Sequence, residues 1–391
     1  MAPIRVALIG LSSSAKTSWA AEGHLPYLLS PRGASHYVIV ALLNSSISAA
    51  KAARDHFNLP SGTKTYGDPT ELASDADVDL VVCCTRVDTH ALTTGPSLRA
   101  GKAVFIEWPL VENYEEAIAL TQGVPLDNNI IGLQGRVSPI VLKLKGILRS
   151  GRIGQVLSSD VRAYGNLFRR DAMREGLAYF ADRKVGGNAV TISYAHAIDS
   201  VHETLGEFAS FQSRMQIQRR TIAIDGEGGG GSQPTTRKTQ TDVPDLLVAH
   251  GKLAPGKADV AEEATLSFFY RNGPQFKGAP GFVWTINGAA GEIMVKAASP
   301  YLQYDAHSGP IEIRIHDHAT DEVIEVPWDW EAWQKELPNR ARTVAVLYER
   351  YAHWRESGEG GTRDWPGLGD AVVRMRELDE VFRQYDAQRG E

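Results

Sequence analysis

The sequence predicts an α/β plus α+β protein: an N-terminal doubly wound parallel sheet of the Rossmann type, then a domain built on an open, mostly antiparallel sheet. Three observations carry this. Strand-like and helix-like runs alternate up to about residue 130, strand-like runs with few helices between them follow, and the C-terminal stretch returns to helical spacing.

Residues 4–10, IRVALIG, are a mostly apolar, β-branched run ending in glycine, the pattern of a strand buried on both faces of a parallel sheet. A loop and then a helix should follow it. Residues 37–43 read as the second strand, and residues 47–57 as a helix on which Ala50, Ala53 and Phe57 recur at helical spacing. Residues 79–84 (DLVVCC), a helix around 91–100 and a strand at 103–107 extend the alternation, with ligands expected at the carboxyl ends of the strands. Beyond it, strands are expected at 155–164, 208–224, 264–270, 281–286, 291–295 and 312–316. A terminal helix at about 369–386 packs back on the body, with Ala371, Val372, Met375, Leu378 and Phe382 on one face and Arg374, Glu377 and Glu380 opposite. The domains expected are therefore 1–130 and 131–391. Within the second, residues 225–241 carry a GGGGS tract without apolar periodicity and read as a flexible loop, either a natural Gly-rich insertion or an introduced linker.

Composition narrows the function classes. The 391 residues carry 41 Lys and Arg against 47 Asp and Glu, a net charge of −6, which disfavours direct nucleic-acid binding by phosphate neutralisation. With 43% hydrophobic and 23% charged residues the chain can bury a large core. Cys83 and Cys84 are adjacent in a strand-like run and point to opposite faces, so neither an ordinary disulfide nor a cysteine zinc site is expected, and a reducing compartment is. The N-terminus has no signal-peptide h-region, and no run reaches the roughly 18 apolar residues of a membrane span. A cytoplasmic protein without a membrane partner is the expectation.

A strand, a glycine and a helix place backbone N–H groups and a helix dipole against a pyrophosphate. Here the G-x-G-x-x-G fingerprint is degraded, because Ser12 and Ala15 stand where the second and third glycines would be. Small residues still admit a phosphate, and Ser12, Ser13 and Ser14 add hydroxyls; the alternative is the same fold with no nucleotide. At the end of the second strand, Leu43-Asn44-Ser45-Ser46 offers no carboxylate to repel a 2′-phosphate, so NADP is tolerated and even favoured if Ser45 or Ser46 binds that phosphate. An ordinary polar turn with a helix N-cap explains the same residues.

These features resemble the Gfo/Idh/MocA oxidoreductase family, nearest to its fungal galactose-pathway repressor-like branch. The resemblance spans nearly the whole chain: IRVALIGL, Trp19-Ala20, His24-Leu25-Pro26, Thr85, His90, AGKAVFIEWPL (100–110), LQGRVSP (133–139), GRIG (151–154) and GGNAVTISYAHAID (186–199). It implies binding of NADP or NAD through Gly10, Leu11, Ser12, Asn44, Ser45, Thr85, His90 and Glu107. It also implies a homodimer through the open sheet.

The main departure is Trp108, which stands where family enzymes carry the lysine of Glu-Lys-Pro that orients substrate and assists proton transfer. An indole has one weak N–H donor and an apolar face that stacks on a ring, so Trp108 is read as a substrate contact near the nicotinamide. In the second motif Ile192 replaces an aspartate and His196 keeps the histidine, which the resemblance makes the acid-base group. Tyr194 can supply a phenolic proton or simply fill space. Arg136 and Lys184 are candidate substrate cations, against the simpler readings of a salt-bridged arginine and an exposed loop lysine, and Asp199 reads as structural. His316-Asp317-His318 lacks a third metal ligand and reads as a strand end, so no metal is expected. Trp328, Trp330, Trp333 and Trp354 are expected to cover the sheet or a subunit interface. The function expected is an atypical NAD(P)-dependent oxidoreductase acting on a small hydroxylated or carbonyl metabolite. The alternative is a non-catalytic, dinucleotide-sensing regulator that acts through a protein partner.

Overall fold

A computed structural model of the chain describes residues 2–15, 17–226, 236–304, 309–358, 361 and 363–390. The chain divides into two compact units, residues 1–134 with 331–376, and residues 135–330 with 377–391. The sequence expectation of one boundary at 130 is thus corrected: the segment 331–376 belongs with the first unit, and the helix Leu368–Arg389 is shared between the two sets of residues.

The first unit is a six-stranded parallel sheet in the order β3-β2-β1-β4-β5-β6. Its strands are β1 (Ile4–Ile9), β2 (Tyr37–Leu43), β3 (Lys64–Tyr66), β4 (Leu80–Cys83), β5 (Ala103–Ile106) and β6 (Ile130–Ile131). Every residue of β4 and β5 is buried, as strands covered on both faces require. Ser46 caps the helix Ile47–His56 by accepting from Ala49 N at 3.1 Å, and Asn113 caps Tyr114–Thr121 in the same manner, so these two helices begin at polar side chains the sequence supplies. In the returning segment, the helix Arg342–Glu356 buries Tyr348 and Tyr351.

The second unit holds an eight-stranded sheet in the order β17-β16-β15-β14-β7-β13-β12-β9 and a three-stranded sheet, β11-β10-β8. The strands are β7 (Val156–Gly165), β8 (Ala172–Arg174), β9 (Phe208–Gln216), β10 (Thr221–Asp225), β11 (Thr236–Gln240), β12 (Leu246–Leu253), β13 (Val260–Asn272), β14 (Phe282–Gly288), β15 (Gly291–Ala297), β16 (Glu312–Asp317) and β17 (Glu322–Glu325). All pairs in the large sheet are antiparallel except β7 with β13.

Three expectations change here. The run 208–224 is two strands, β9 and β10, that join different sheets. The loop expected at 225–241 is in part a strand, since β11 pairs antiparallel with β10, while residues 227–235 lie outside the described residues. On the terminal helix, Arg374 is 0% and Glu377 8% exposed although helical spacing put them on a polar face; Glu377 is buried because Tyr194 and His202 face its carboxylate. Cys83 and Cys84 are free thiols, as expected, and burial pushes both thiol pKa values up. His316 pairs with Asp321 at 2.8 Å at a strand end. Trp354 packs on Tyr351 and Trp365 within the first unit, and Trp328 donates to the Ile311 carbonyl within the second. Among the described residues no helix is long and apolar enough to cross a membrane.

Leu8 sits in the central strand with no exposed surface. Leu8→Ala is expected to destabilise the first unit by about 2–5 kcal/mol in denaturant titration; a loss below about 1 kcal/mol would mean that β1 is not the centre of the sheet.

Candidate functional site

In the first unit, strand register aligns the ends of β1, β2, β4 and β5: Ile9 pairs with Leu43 and Cys83, and Cys83 pairs with Ile106. The residues that follow these ends are Gly10, Asn44, Thr85 one position further on, and Glu107, so four of the expected cofactor residues share one edge. The sheet order reverses between β1 and β4, which is where open α/β sheets bind ligands.

Gly10 has φ +89°, and a Cβ there would lie 2.8 Å from Thr85 Cγ2, so glycine is required. Gly10 N donates to the Leu43 carbonyl at 3.1 Å. Leu11 is fully buried. The Leu11 carbonyl accepts from Asn44 Nδ2 at 2.8 Å, which turns Asn44 Oδ1 the other way; that oxygen is buried without a hydrogen-bond partner. Ser12 Oγ accepts from Ser14 N at 3.2 Å, forming a small serine turn. Ser46 is occupied as the helix cap, which leaves Ser45 as the exposed hydroxyl beside Asn44.

His90 is buried with both ring nitrogens facing carbonyl oxygens: Nε2 is 3.0 Å from Thr85 O, and Nδ1 is 3.0 Å from Pro109 O and 3.2 Å from Leu110 O. Burial lowers its pKa against the opposing pull of those carbonyls. A neutral ring has one N–H to donate, either to the Thr85 carbonyl or to the Pro109 and Leu110 carbonyls, so a positioning role between the segments after β4 and β5 stands beside the expected cofactor contact.

Glu107 is nearly buried, and Oε1 lies 2.8 Å from His24 Nε2, while His24 Nδ1 lies 2.8 Å from the Tyr348 hydroxyl. With Glu107 as the carboxylate, Nε2 carries the proton and Tyr348 donates to Nδ1, giving a Tyr348–His24–Glu107 chain. A Cβ at Gly132 would fall 2.5 Å from Glu107 Oε2, so this carboxylate also needs a glycine beside it. Trp108 follows, 6% exposed and joined to Pro109 by a cis peptide bond.

In the second unit, Asn188 begins the segment that carries His196. Its Oδ1 accepts from Val190 N at 2.9 Å and Thr191 N at 3.1 Å, and Thr191 Oγ1 accepts from Asn188 N at 2.9 Å. One wide turn, Ala189–Tyr194, precedes the helix Ala195–Leu205. His196 is 9% exposed. Tyr194 is fully buried, its ring against Phe268 and Tyr270 and its hydroxyl donating to Glu377 Oε1 at 3.1 Å. That corrects its assignment as a proton donor: the phenol proton already holds the terminal helix. Arg136 is likewise committed, with Nε 3.0 Å from Asp199 Oδ2 and Nη2 2.8 Å from Asp199 Oδ1, and Glu203 at 3.6 Å from Nη1. It is the salt-bridged arginine rather than a substrate cation, and Asp199 is structural. Lys184 is exposed on the turn Arg183–Val185. The polar residues that sequence reasoning missed are Tyr348, His202 and Glu377, each of which has its partner far away in the chain.

Residues 4–132 match the family model described as the oxidoreductase family with an NAD-binding Rossmann fold, and residues 139–297 match the Gal80p C-terminal domain. These matches make the chain similar to the Gfo/Idh/MocA family, near its Gal80-like branch, and its first unit is an NAD-binding type of Rossmann domain. It is similar to dehydrogenase aclE of Aspergillus oryzae, 28% identical over 98% of this chain and 96% of that protein. It is also 26% identical to the galactose/lactose metabolism regulatory protein GAL80 of Kluyveromyces lactis, over 77% of this chain and 65% of that one. Among solved structures, the Kluyveromyces lactis transcriptional regulator Gal80p superimposes with a TM-score of 0.80 at 20% identity, covering 99% and 93% of the two chains. Levoglucosan dehydrogenase in complex with NADH and L-sorbose gives a TM-score of 0.73 at 17% identity, covering 98% and 97%.

Because Arg136 and Asp199 are a buried pair, Asp199→Asn is expected to destabilise the second unit by about 3–5 kcal/mol. Lys184→Ala is expected to stay within about 0.5 kcal/mol of the parent. Equal effects in denaturant titration would contradict the division of the two cations into committed and exposed.

Proposed function

We propose that the protein is an atypical NAD(P)-dependent oxidoreductase that interconverts a small hydroxylated metabolite and its carbonyl form. The observation that carries this reading is the nucleotide edge of the first unit: Gly10 in its required left-handed conformation and Asn44 with a buried, unmatched acceptor. The end-to-end similarity to a dehydrogenase supports it. The residues fit a dinucleotide. An unmatched Oδ1 at the end of β2 would accept from a ribose hydroxyl, whereas a 2′-phosphate brings only acceptors there; of NADP and NAD, both left open by the sequence, the preference inferred is therefore NAD(H).

The bound nicotinamide supplies hydride acceptance and donation. The chain's part is to hold and move a proton. His196 is the group proposed to take the substrate hydroxyl proton at a ring nitrogen, the role the family resemblance gives it, because an imidazole accepts a proton near neutral pH whereas the Trp108 indole cannot. Gly10, Leu11, Ser12, Asn44, Ser45, Thr85 and Glu107 would hold the cofactor, with Glu107 kept in place by His24. The indole of Trp108 would bind substrate or the nicotinamide by its face. A homodimer through the eight-stranded sheet and a reducing cytoplasmic location belong to the same reading.

Trp108 in place of lysine, together with the match to the Gal80p C-terminal domain, favours a second reading: a dinucleotide-sensing regulator that binds a protein partner. Turnover separates the two. Across a panel of polyols, sugars and aromatic alcohols with saturating NAD+, absorbance at 340 nm should rise with at least one member. His196→Ala should then lower kcat by roughly 10²-fold with cofactor affinity retained. Trp108→Lys should lose activity on that substrate if the indole binds it. No reduction with any member, in either direction, would support the regulator, and wild-type turnover in His196→Ala would remove the acid-base assignment.

A further inference from the structure

Away from the nucleotide edge, the second unit brings one imidazole and two carboxylates to a point. His202 is fully buried on the helix Ala195–Leu205, Glu207 lies just beyond that helix, and Glu377 comes from the terminal helix. His202 Nε2 is 3.3 Å from Glu377 Oε2 and 3.9 Å from Glu207 Oε2, and the three ligand-type atoms all lie within 4.8 Å of one another.

The chemistry around them fixes what each atom offers. His202 Nδ1 is 2.7 Å from the Gly206 carbonyl, which can only accept, so Nδ1 carries a proton and Nε2 is the nitrogen turned toward the carboxylates, with a lone pair to offer a metal ion once it is deprotonated. Glu377 uses its other oxygen, Oε1, to accept from Tyr194 at 3.1 Å, which aims Oε2 at the imidazole. Phe208 packs edge-on against the His202 ring at 4.9 Å and fixes its plane. This is the organisation of a metal site: an imidazole whose second nitrogen donates to a carbonyl, and a carboxylate whose second oxygen is hydrogen-bonded. Bonds of about 2.0–2.1 Å to a tetrahedral ion put neighbouring ligand atoms roughly 3.3–3.4 Å apart, the separation of His202 Nε2 and Glu377 Oε2. The remaining separation, to Glu207, closes by a rotation of a partly exposed side chain.

We propose that His202 Nε2, Glu377 Oε2 and Glu207 Oε2 form a zinc-type divalent metal site, with water as the fourth ligand. A nitrogen ligand with two carboxylates selects a transition ion over Mg2+ or Ca2+. The ion joins the His196-bearing helix to the terminal helix, so it is a structural clamp of the second unit and does not depend on whether the protein transfers hydride. The second cluster of this kind, His36, Glu349 and His353, is a poorer candidate because Arg32 already holds Glu349 through two hydrogen bonds.

The test uses the full-length, tag-free chain dialysed against a chelator, then titrated with ZnCl2 by calorimetry and followed by thermal unfolding. One equivalent should bind and raise Tm by several degrees, while MgCl2 should do neither. Glu207→Gln, at a partly exposed position that leaves the core intact, should weaken zinc binding at least 100-fold. Tyr194→Phe, which removes the hydrogen bond that aims Glu377, should weaken it by about 10–100-fold. The proposal is overturned if the wild-type chain shows neither saturable zinc binding nor a Tm shift, which would make the cluster an imidazolium–carboxylate ion pair. It is equally overturned if Glu207→Gln binds zinc as tightly as the parent.

Discussion

The first unit depends on the register of four buried parallel strands. Ile9 pairs with Leu43 and Cys83, and Cys83 with Ile106, so the apolar part of each strand stops at the same level. Whatever follows must be polar or backbone, and it must be held. Gly10 is held by the approach of Thr85, Asn44 by the Leu11 carbonyl, His90 by three carbonyls, and Glu107 by His24 with Tyr348 behind it. A carboxylate this deeply buried without a partner would carry a large desolvation penalty, so the imidazole is a condition of having Glu107 there at all.

The same rule sorts the charged residues of the second unit. A buried arginine is committed to a carboxylate, as Arg136 is to Asp199; a buried glutamate on a helix face is committed to a phenol and an imidazole, as Glu377 is to Tyr194 and His202. His196, 9% exposed on the helix Ala195–Leu205, is the imidazole proposed for proton transfer. The indole of Trp108 then changes what the site can do: it contributes shape and a stacking face where a lysine would contribute charge and a proton.

Strand-by-strand, the architecture was legible because β1, β2, β4 and β5 are short apolar runs whose burial on both faces needs no long-range information. The small residues at Gly10 and the polar run after Leu43 marked the nucleotide edge for the same reason. Long-range pairing was not legible. Tyr348 reaches His24 across 324 positions and Glu377 reaches Tyr194 across 183, and no local pattern connects either pair. Helical spacing assigned Arg374 and Glu377 to solvent because it counts polarity and not partners. The run 208–224 hid a change of sheet, since periodicity reports which residues alternate and not which neighbour a strand joins.

Gly10, Asn44 and the serines beside them are proposed to form a dinucleotide site that prefers a free ribose hydroxyl. Calorimetric titration of the chain with NAD+, NADH, NADP+ and NADPH tests it most directly. Saturable one-to-one binding is expected for the NAD pair and weaker binding for the NADP pair, with the difference narrowed in Asn44→Ala, where the acceptor is gone. Absence of heat and of any thermal shift with all four forms would contradict the account.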